Sequence, residues 1–318
     1  LNLKKIGLDL KLSMNLVNAN KGLVTKKFNE FFYVDILINE KIEEDMRFLC
    51  KSRKSIKHQN KYIFVGDRVL VSEINYKDRT AVIENLLERK NILNRPAVAN
   101  ISDIYIIHSV EQPKLNYSQL SDFLIKAESL MVKVSLILTK SDLIPSKKHA
   151  YFFEKFKNWG YEPKILSLTS DDEFKDLIYE LKTKECSIFM GPSGVGKTTL
   201  MNKIIPNINR ATSSVSSKIK RGKNTTRNIE LFRLSKESYI VDTPGFNILN
   251  NYMKPKDIAL FFPEFKNQIS QNPGRCKFRD CLHIDEPGCN LNKKFERYRF
   301  YKKLINESKI LFHQIQVN

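Results

Sequence analysis

Two loops of the chain stand in an unusual order, and that order limits the folds available to it. The stretch LILTKSDLIP, residues 136–145, reads as the end of a buried strand followed by a guanine-reading loop of the NKxD kind. The stretch GPSGVGKT, residues 191–198, comes later and fits the phosphate-binding pattern GxxxxGK[ST]. In ordinary GTP-binding domains the phosphate loop comes first. The fold must therefore keep both loops in one site although their order is reversed.

The phosphate loop has a predicted strand before it and a predicted helix after it, which a chance glycine-rich loop would not explain. Its glycines allow backbone N–H groups to point at phosphate oxygens. We expect Lys197 to reach the β- and γ-phosphates and Thr198 to ligate Mg²⁺. The predicted phosphate-binding residues are Gly191, Pro192, Ser193, Gly194, Val195, Gly196, Lys197, Thr198 and Thr199.

A second phosphate-facing element is the segment IVDTPGF, residues 240–246. Asp242, at a strand end, suits a carboxylate that faces Mg²⁺, and Gly245 suits a backbone N–H that faces the γ-phosphate. Before this segment, residues 213–230 form a basic loop that has no acid until Glu230. Within it, Thr225 or Thr226 could add a magnesium ligand while the γ-phosphate is present, which would make the loop a nucleotide-controlled switch. A mobile basic linker is the compatible alternative.

The base-reading loop is predicted from Thr139, Lys140 and Asp142. Guanine carries donors at N1 and N2, and a carboxylate accepts from both, so Asp142 would select GTP over ATP. Lys140 would pack its alkyl stem on the base. Ser167, in the stretch ILSLTS, stands where it can shape the loop around guanine O6.

From about residue 101 onward, predicted strands alternate with predicted helices, which indicates a mostly parallel sheet with helices on both faces. All three loops follow strand ends, the place where open α/β sheets bind ligands. Joining the old termini and opening the chain elsewhere keeps every strand in place, because domain termini often lie close together. The sequence therefore predicts a circularly permuted P-loop GTPase domain over residues 93–264.

The N-terminal part, residues 15–92, contains five short β-rich runs, which predict a small OB-like barrel of the kind that binds RNA. The net charge of +19 favours a polyanionic partner, namely RNA, DNA or an anionic membrane. No apolar stretch approaches the length of a membrane span, so RNA is the preferred interpretation over a membrane. A solvated loop is the alternative for its basic run, which comprises Arg47, Lys51, Arg53, Lys54, Lys57 and Lys61.

The C-terminal part, residues 265–318, is predicted to be a zinc-binding helical module. Three Cys and one His follow one another at spacings of four, one and five intervening residues. Three thiolates and an imidazole complete a tetrahedral shell, which predicts one structural Zn²⁺ per chain; buried free thiols are the alternative. Cys50 and Cys186 are predicted core thiols, and a chain of this kind suits a reducing cytoplasm. The predicted ligands are Cys276, Cys281, His283 and Cys289.

Taken in order, the barrel, TKSD, GPSGVGKT, RGKNTT, DTPG and CxxxxCxHxxxxxC resemble the ribosome small-subunit-dependent GTPase A family over about residues 20–300. The resemblance implies a late-acting factor in small-subunit assembly. Such a factor binds the subunit and its rRNA, acts with GTP, Mg²⁺ and Zn²⁺, and hydrolyses GTP faster on the subunit. We expect a monomer that has no membrane partner.

Two positions depart from the family's pattern, and a third departs from the pattern of many other GTPases. Thr139 stands where the family prefers Asn, and Asn224 stands where its switch segment often carries a His that could help position water. Phe246 stands where many GTPases carry a water-orienting Gln. The predicted catalytic set is therefore Lys197, Thr198, Asp242 and Asn224. A GTP-dependent RNA-binding module with negligible turnover is the main alternative; a metal chaperone is disfavoured by the closed zinc shell.

Overall fold

The computed structural model describes residues 19–38, 41–58, 62–94, 96–170, 172–205, 229–242, 253–271 and 276–317. These residues form two compact units. The first unit takes its residues from Leu1–Asp103, Asp176–Ile188 and Met201–Pro244, and the second from Ile104–Lys175, Phe189–Leu200 and Gly245–Asn318. Within the described part of the chain, none of the helices has both the length and the apolar character that crossing a bilayer requires.

Five strands of the first unit close into a barrel, as the sequence predicts. They are β1 Asn20–Phe28, β2 Phe31–Ile38, β3 Lys41–Ser52, β4 Arg68–Asn75 and β5 Thr80–Leu86, with a short helix α1 Lys54–His58 after β3. The ring runs β1–β2–β3–β5–β4 and closes through a β1–β4 pairing. Alternate side chains point inwards, which leaves Val24, Val34 and Phe48 fully buried. Closure removes the free sheet edges on which other chains could add strands.

A short hairpin and a buried asparagine connect the barrel to the rest of the first unit. The hairpin is formed by β6 Ile92–Asn94 and β7 Ala97–Ala99. Asn100 follows it, donates from Nδ2 to the carbonyl of Gly66 at 2.9 Å, and accepts from the backbone N–H of Lys90 at 2.8 Å. These bonds fix the path of the chain as it leaves the barrel.

From Asp103 onward strands alternate with helices, mostly within the second unit. The strands are β8 Asp103–Ser109, β9 Lys133–Thr139 and β10 Lys164–Leu166, and the helices are α2 Tyr117–Glu128, α3 Lys147–Lys157 and α4 Asp172–Leu181. Hydrogen bonds join the strands in the order β10–β9–β8. Strands β9 and β10 run parallel and pair Thr139 with Leu166, so the loops after them leave the same edge. Helix α2 ends at Glu128, before Met131, whose left-handed φ of 56° a helix cannot include.

Three further strands complete the alternating pattern, and two of them lie wholly in the first unit. They are β11 Cys186–Met190, β12 Glu230–Arg233 and β13 Tyr239–Asp242, with helix α5 Lys197–Ile204 after β11. Strand β13 is parallel to β11 and antiparallel to β12. Strand β12 also pairs antiparallel with β1, where Lys26 lies opposite Glu230. The barrel and these strands are therefore joined by backbone hydrogen bonds.

The C-terminal module is helical and packs on aromatic rings. It contains a 3₁₀ helix Pro255–Phe261 and the helices α6 Pro263–Gln271 and α7 Tyr298–Val317. Phe262, Phe265 and Tyr301 are fully buried in its core. Arg297 is also fully buried; it donates to Glu264 and lies 5.0 Å from the ring of Trp159. The buried guanidinium is thus both paired and stacked, as a buried charge requires.

Candidate functional site

The phosphate loop passes very close to two neighbouring segments, and its glycines make this approach possible. Gly191 has a φ of 150°, and a Cβ built on it would lie 2.0 Å from the carbonyl oxygen of Ile107 on β8. Gly196 has a φ of 96°, and its Cβ would lie 2.4 Å from the side chain of Leu168. Any other residue would push the loop away from the strand ends. The glycine pattern therefore fixes where the phosphate groups of a nucleotide can lie.

Lys197 opens helix α5 at the end of this loop. Its ammonium donates to the carbonyls of Gly191 and Pro192 at 2.7 and 2.5 Å. Burial lowers the pKa of Lys197 to about 8. Thr198 and Thr199 follow it in the first turn with exposed side chains, and backbone N–H groups at a helix N-terminus favour anions. This arrangement can bind phosphate oxygens and offers the Thr198 hydroxyl to a magnesium ion.

The base-reading loop is hydrogen-bonded directly to the phosphate loop. Thr139 is fully buried, and its hydroxyl donates to the carbonyl of Val195 at 2.6 Å. Lys140 adopts a left-handed φ of 59°, and its ammonium donates to the carbonyl of Gly194 at 2.8 Å and also to that of Gln112. The two motifs therefore meet in space although they are distant in sequence. The hydroxyl of Thr139 joins the two loops from the position where the family prefers Asn.

Asp142 is held in place by a short chain of hydrogen bonds. Ser167 donates from Oγ to Asp142 Oδ1 at 2.9 Å. Glu173, in the first turn of α4, accepts from the backbone N–H of Ser167 at 2.5 Å. Sequence reasoning named Asp142 and Ser167 but missed Glu173; its only signal was an acid at a helix start. The carboxylate that would read guanine is thus positioned by the side chain of Ser167, whose backbone is held in turn by Glu173.

His108, on β8, is a second residue that sequence reasoning missed. It is almost fully buried, and its Nδ1 lies 3.1 Å from the carbonyl of Ser109. Burial lowers the pKa of this imidazole, and the charge of Lys197 lowers it further. The lowered pKa favours the neutral form of this buried ring. Its backbone carbonyl also lies 3.4 Å from the hydroxyl of Thr139.

Several predicted site residues lie outside the described part of the chain. These are Asn224, Thr225, Thr226 and Gly245. Asp242 is the last residue of β13, so its backbone position at a strand end is as predicted, while the structure does not describe its side chain. The roles assigned to these five residues remain predictions.

The four predicted zinc ligands converge. The ligand atoms of Cys276, Cys281, His283 and Cys289 all lie within 4.8 Å of one another. Nδ1 of His283 is 3.6 Å from the sulfurs of both Cys276 and Cys289. Zinc–sulfur and zinc–nitrogen bonds of ordinary length place S and N about 3.6 Å apart on the edge of a tetrahedron. The donor set therefore fits Zn²⁺, and burial lowers the pKa of His283, which favours the neutral imidazole that binds metals.

The loop that carries the zinc ligands is ordered by neighbouring side chains. Glu286 accepts from the backbone N–H groups of Leu282 and Ile284 at 3.0 and 2.8 Å. Tyr298, on α7, donates to the carbonyl of His283 at 3.1 Å, and Tyr301 donates to that of Leu282 at 2.5 Å. Helix α7 thus holds the loop in register. The cluster joins the polar segment before α7 to the aromatic core of the module.

Comparison with known proteins agrees with this geometry. The profile of the RsgA GTPase family matches residues 86–251, and a profile described as 50S ribosome-binding GTPase matches residues 187–317. The chain is 40% identical over 305 residues to the small ribosomal subunit biogenesis GTPase RsgA of Prochlorococcus marinus strain NATL2A. That alignment covers 93% of this chain and 96% of the relative. The chain belongs to the RsgA GTPase family.

Two solved structures extend the RsgA comparison to the fold. A structure described as YloQ, a circularly permuted GTPase, has a TM-score of 0.74 at 26% identity and covers 92% of this chain and 96% of its own. A structure described as YjeQ from Thermotoga maritima has a TM-score of 0.73 at 29% identity, with coverages of 91% and 98%. The predicted fold class, with its barrel, permuted GTPase domain and metal module, is confirmed. As an RsgA GTPase the chain is a GTP-hydrolysing enzyme.

Nucleotide binding by this RsgA GTPase should weaken as the pH rises through the pKa of Lys197. Phosphates favour the charged ammonium, so above about pH 8 the free protein must take up a proton when it binds GDP. We expect the Kd for GDP to be about fourfold higher at pH 8.5 than at pH 7.0. Calorimetric titration measures this. In Lys197→Arg the guanidinium stays charged, so the Kd for GDP that remains should not change over this pH range. A Kd that is independent of pH in the unmodified protein would contradict the role of Lys197 in phosphate binding.

Zinc should be structural in this RsgA GTPase. We expect elemental analysis to find one zinc per chain, and Cys281→Ser to lose the metal and unfold the segment 276–289. Metal binding of this type contributes on the order of 10 kcal/mol to the folding of small zinc modules. GDP binding should persist, since the phosphate and base loops are separate in sequence from that segment. Cys50→Ala, which removes a buried barrel thiol, is the control that should retain zinc. An unchanged thermal melt in metal-free protein would show that zinc has no structural role.

Proposed function

We propose that this GTPase acts in late maturation of the small ribosomal subunit, that it binds the subunit through ribosomal RNA, and that the subunit stimulates its hydrolysis of GTP. The observation that carries the proposal is the contact between the base loop and the phosphate loop, found in a chain that aligns over 93% of its length with a small ribosomal subunit biogenesis GTPase. The protein would act as a monomer in the cytoplasm, where ribosomal subunits mature.

The site residues have complementary roles in this proposal. Lys197 neutralises the β- and γ-phosphates, and the backbone N–H groups of the loop hold their oxygens. Thr198 and Asp242 would hold Mg²⁺, which when bound supplies positive charge to the phosphate oxygens. Asp142, set by Ser167, recognises guanine. Thr225, Thr226 and Gly245 would respond to the γ-phosphate, and Asn224 stands where water must be positioned.

The barrel supports the proposed RNA contact. Arg47 and Arg53, from the basic run, are engaged with the barrel's own acids, since Arg47 pairs with Asp35 and Arg53 with Glu84. Lys51 and Lys54 are exposed and remain on the surface. Tyr62 and Tyr76 are 70% and 58% exposed. Exposed aromatic rings among cations suit stacking against unpaired bases, so the RNA-facing charge would come from lysines and the contact from these rings.

The domain limits predicted from the sequence, at 15–92, 93–264 and 265–318, remain part of the proposal.

Binding to small subunits tests the proposed function most directly. Purified protein should sediment with small subunits when it carries a non-hydrolysable GTP analogue, and should dissociate in GDP. Sedimentation that does not depend on the nucleotide would contradict the proposal. Binding without any change in hydrolysis would favour the GTP-dependent RNA-binding module instead.

A further inference from the structure

A group of charged and polar side chains crosses from the barrel to the strand pair β12–β13. Glu230 begins β12, lies opposite Lys26 of β1, and lies opposite Asp242 of β13 on its other side. The predicted magnesium ligand Asp242 therefore has as its cross-strand partner a residue that is itself paired with the barrel. Tyr239 is the first residue of the same strand β13.

The side chains in this group form a continuous network. Lys26 Nζ lies 2.5 Å from Glu230 Oε2, and Arg47 Nη1 lies 3.6 Å from Glu230 Oε1. Arg47 Nε donates to Asp35 Oδ1 at 2.8 Å, and Tyr239 donates from its hydroxyl to Asp35 Oδ2 at 3.0 Å. We call these five residues, Lys26, Asp35, Arg47, Glu230 and Tyr239, the joint. Its members come from five different strands, β1, β2, β3, β12 and β13.

The centre of the joint is buried, whereas the side chain of Arg47 is 38% exposed. Asp35 is 4% exposed and Tyr239 is 2% exposed. A buried carboxylate needs partners for both oxygens, and Asp35 has them: Oδ1 accepts from Arg47 Nε, and Oδ2 accepts from the Tyr239 hydroxyl and, at 3.4 Å, from Arg47 Nη2. Burial raises the pKa of Tyr239, and the charge of Asp35 raises it further, so the phenol stays a donor. Burial alone would lower the pKa of Arg47, but its contacts with Asp35 and Glu230 outweigh that and raise it.

A joint that only held two elements together would not need charges. Apolar side chains of similar volume often stabilise as well as a buried ion pair, because desolvating the charges is costly. What the charges add is one defined register, since an alternative placement of β12–β13 would separate Asp35 from Tyr239 and leave Glu230 without Lys26 and Arg47. The barrel and the backbone of Asp242 therefore share one arrangement.

We infer that Asp35, Arg47 and Tyr239 are positioning residues. They couple the barrel to the end of β13 and thereby to the GTP hydrolysis that the small subunit stimulates. The inference rests on the proposed function, in which RNA binds the barrel and accelerates hydrolysis. Because reciprocity holds for binding free energies, a coupling that also acts on binding makes the barrel respond to a change of nucleotide at the phosphate site. This second consequence requires no ribosomal subunit and can be measured on the protein alone.

The first arm of the test measures hydrolysis by Tyr239→Phe, which removes one hydroxyl and no charge. We expect the intrinsic kcat and the Kd for GTP to stay within about twofold of the unmodified values, and the subunit-stimulated kcat to fall about tenfold. The subunit concentration that gives half-maximal stimulation should not change. A simple loss of folding would instead lower all of these quantities together with the thermal melt.

Two arginine variants provide a matched pair. Arg47→Met breaks the joint, and Arg53→Met breaks an ion pair with Glu84 inside the barrel; both remove one positive charge. Arg47→Met should lower the ratio of stimulated to intrinsic hydrolysis, and Arg53→Met should leave that ratio near its unmodified value. Equal loss in both variants would assign the effect to barrel charge and overturn the inference.

The second arm measures amide hydrogen exchange in β2 and β3 with GDP and with a non-hydrolysable GTP analogue. We expect exchange in these strands to differ between the two nucleotides in the unmodified protein and in Arg53→Met, and to be equal in Tyr239→Phe. No difference in the unmodified protein, or a difference that persists in Tyr239→Phe, overturns the inference. If subunits fail to stimulate the unmodified protein, the proposed function fails, and the exchange result still decides whether the joint couples the two elements.

Discussion

Small ribosomal subunits should accelerate GTP hydrolysis by this enzyme about 10³–10⁵-fold, the range that outside assistance gives other GTPases. Intrinsic hydrolysis should be slow, because neither of the two side chains that the sequence places at the water-positioning points can activate water. Phe246 is apolar, and Asn224 can hydrogen-bond but is no base at neutral pH. We expect Lys197 and the loop backbone to bind the phosphates equally well with or without the subunit. The remaining acceleration of GTP hydrolysis therefore has to come from residues of this chain that the subunit orders.

The basic segment before β12 is the part of the sequence best suited to that ordering. An RNA surface that docks on it could bring Thr225 and Thr226 towards Mg²⁺, exclude bulk water and fix the line of attack. Single-turnover hydrolysis should be measured with protein alone, with small subunits and with large subunits. Strong stimulation is expected from the small subunit only. Tight binding with an unchanged rate would contradict an activated enzyme.

Charge substitutions separate the RNA contact from nucleotide binding. Replacing Lys218, Lys220 and Lys223 together by Gln should lower the stimulated rate far more than the affinity for GTP. Each lysine that contacts phosphate should also reduce the slope of log affinity against log salt by about one. The control is the same replacement at Lys147, Lys148 and Lys175, which are exposed elsewhere. Equal losses in both triples would indicate a general dependence on net charge.

The sequence predicted the features that depend on local spacing. The phosphate loop, the zinc ligands and the alternation of strands and helices are each determined within a short stretch, and the structure places them as expected. The reversed loop order was also interpretable, since strand ends meet at one edge whichever way the chain is opened. The hydrogen bond from Thr139 to Val195 supports the same interpretation, because it joins the base and phosphate loops.

Contacts between distant segments could not be read in the same way. Tyr239 and Asp35 are 204 positions apart, as are Lys26 and Glu230, and no spacing rule connects residues across such a separation. The basic run illustrates the same limit. Its six cations suggested a uniform surface for RNA, but Arg47 and Arg53 are paired with acids from other strands. Glu173 was missed because its role depends on where α4 begins relative to Ser167.

Asp142→Asn should change the nucleotide that this enzyme prefers. In the unmodified protein both carboxylate oxygens can accept from guanine N1 and N2, and losing one charged partner of such a pair costs about 2–5 kcal/mol. We expect GTP affinity to fall about 10²–10³-fold. The Asn amide would present a donor to a guanine donor, whereas xanthine carries an oxygen at the same position. Binding of xanthosine triphosphate should therefore improve in the variant.

Substitutions near Asp142 should lower GTP affinity by smaller, graded amounts. Ser167→Ala removes one hydrogen bond to Asp142 and leaves its charge, so GTP affinity should fall only about fivefold. Asp172→Asn, the control, removes an exposed carboxylate that pairs with Lys175 and should leave affinity unchanged. Competition against a fluorescent guanine nucleotide ranks GTP, ATP and xanthosine triphosphate in each variant. Because discrimination resides in one carboxylate, equal binding of ATP and GTP by the unmodified protein would show that Asp142 does not read the base.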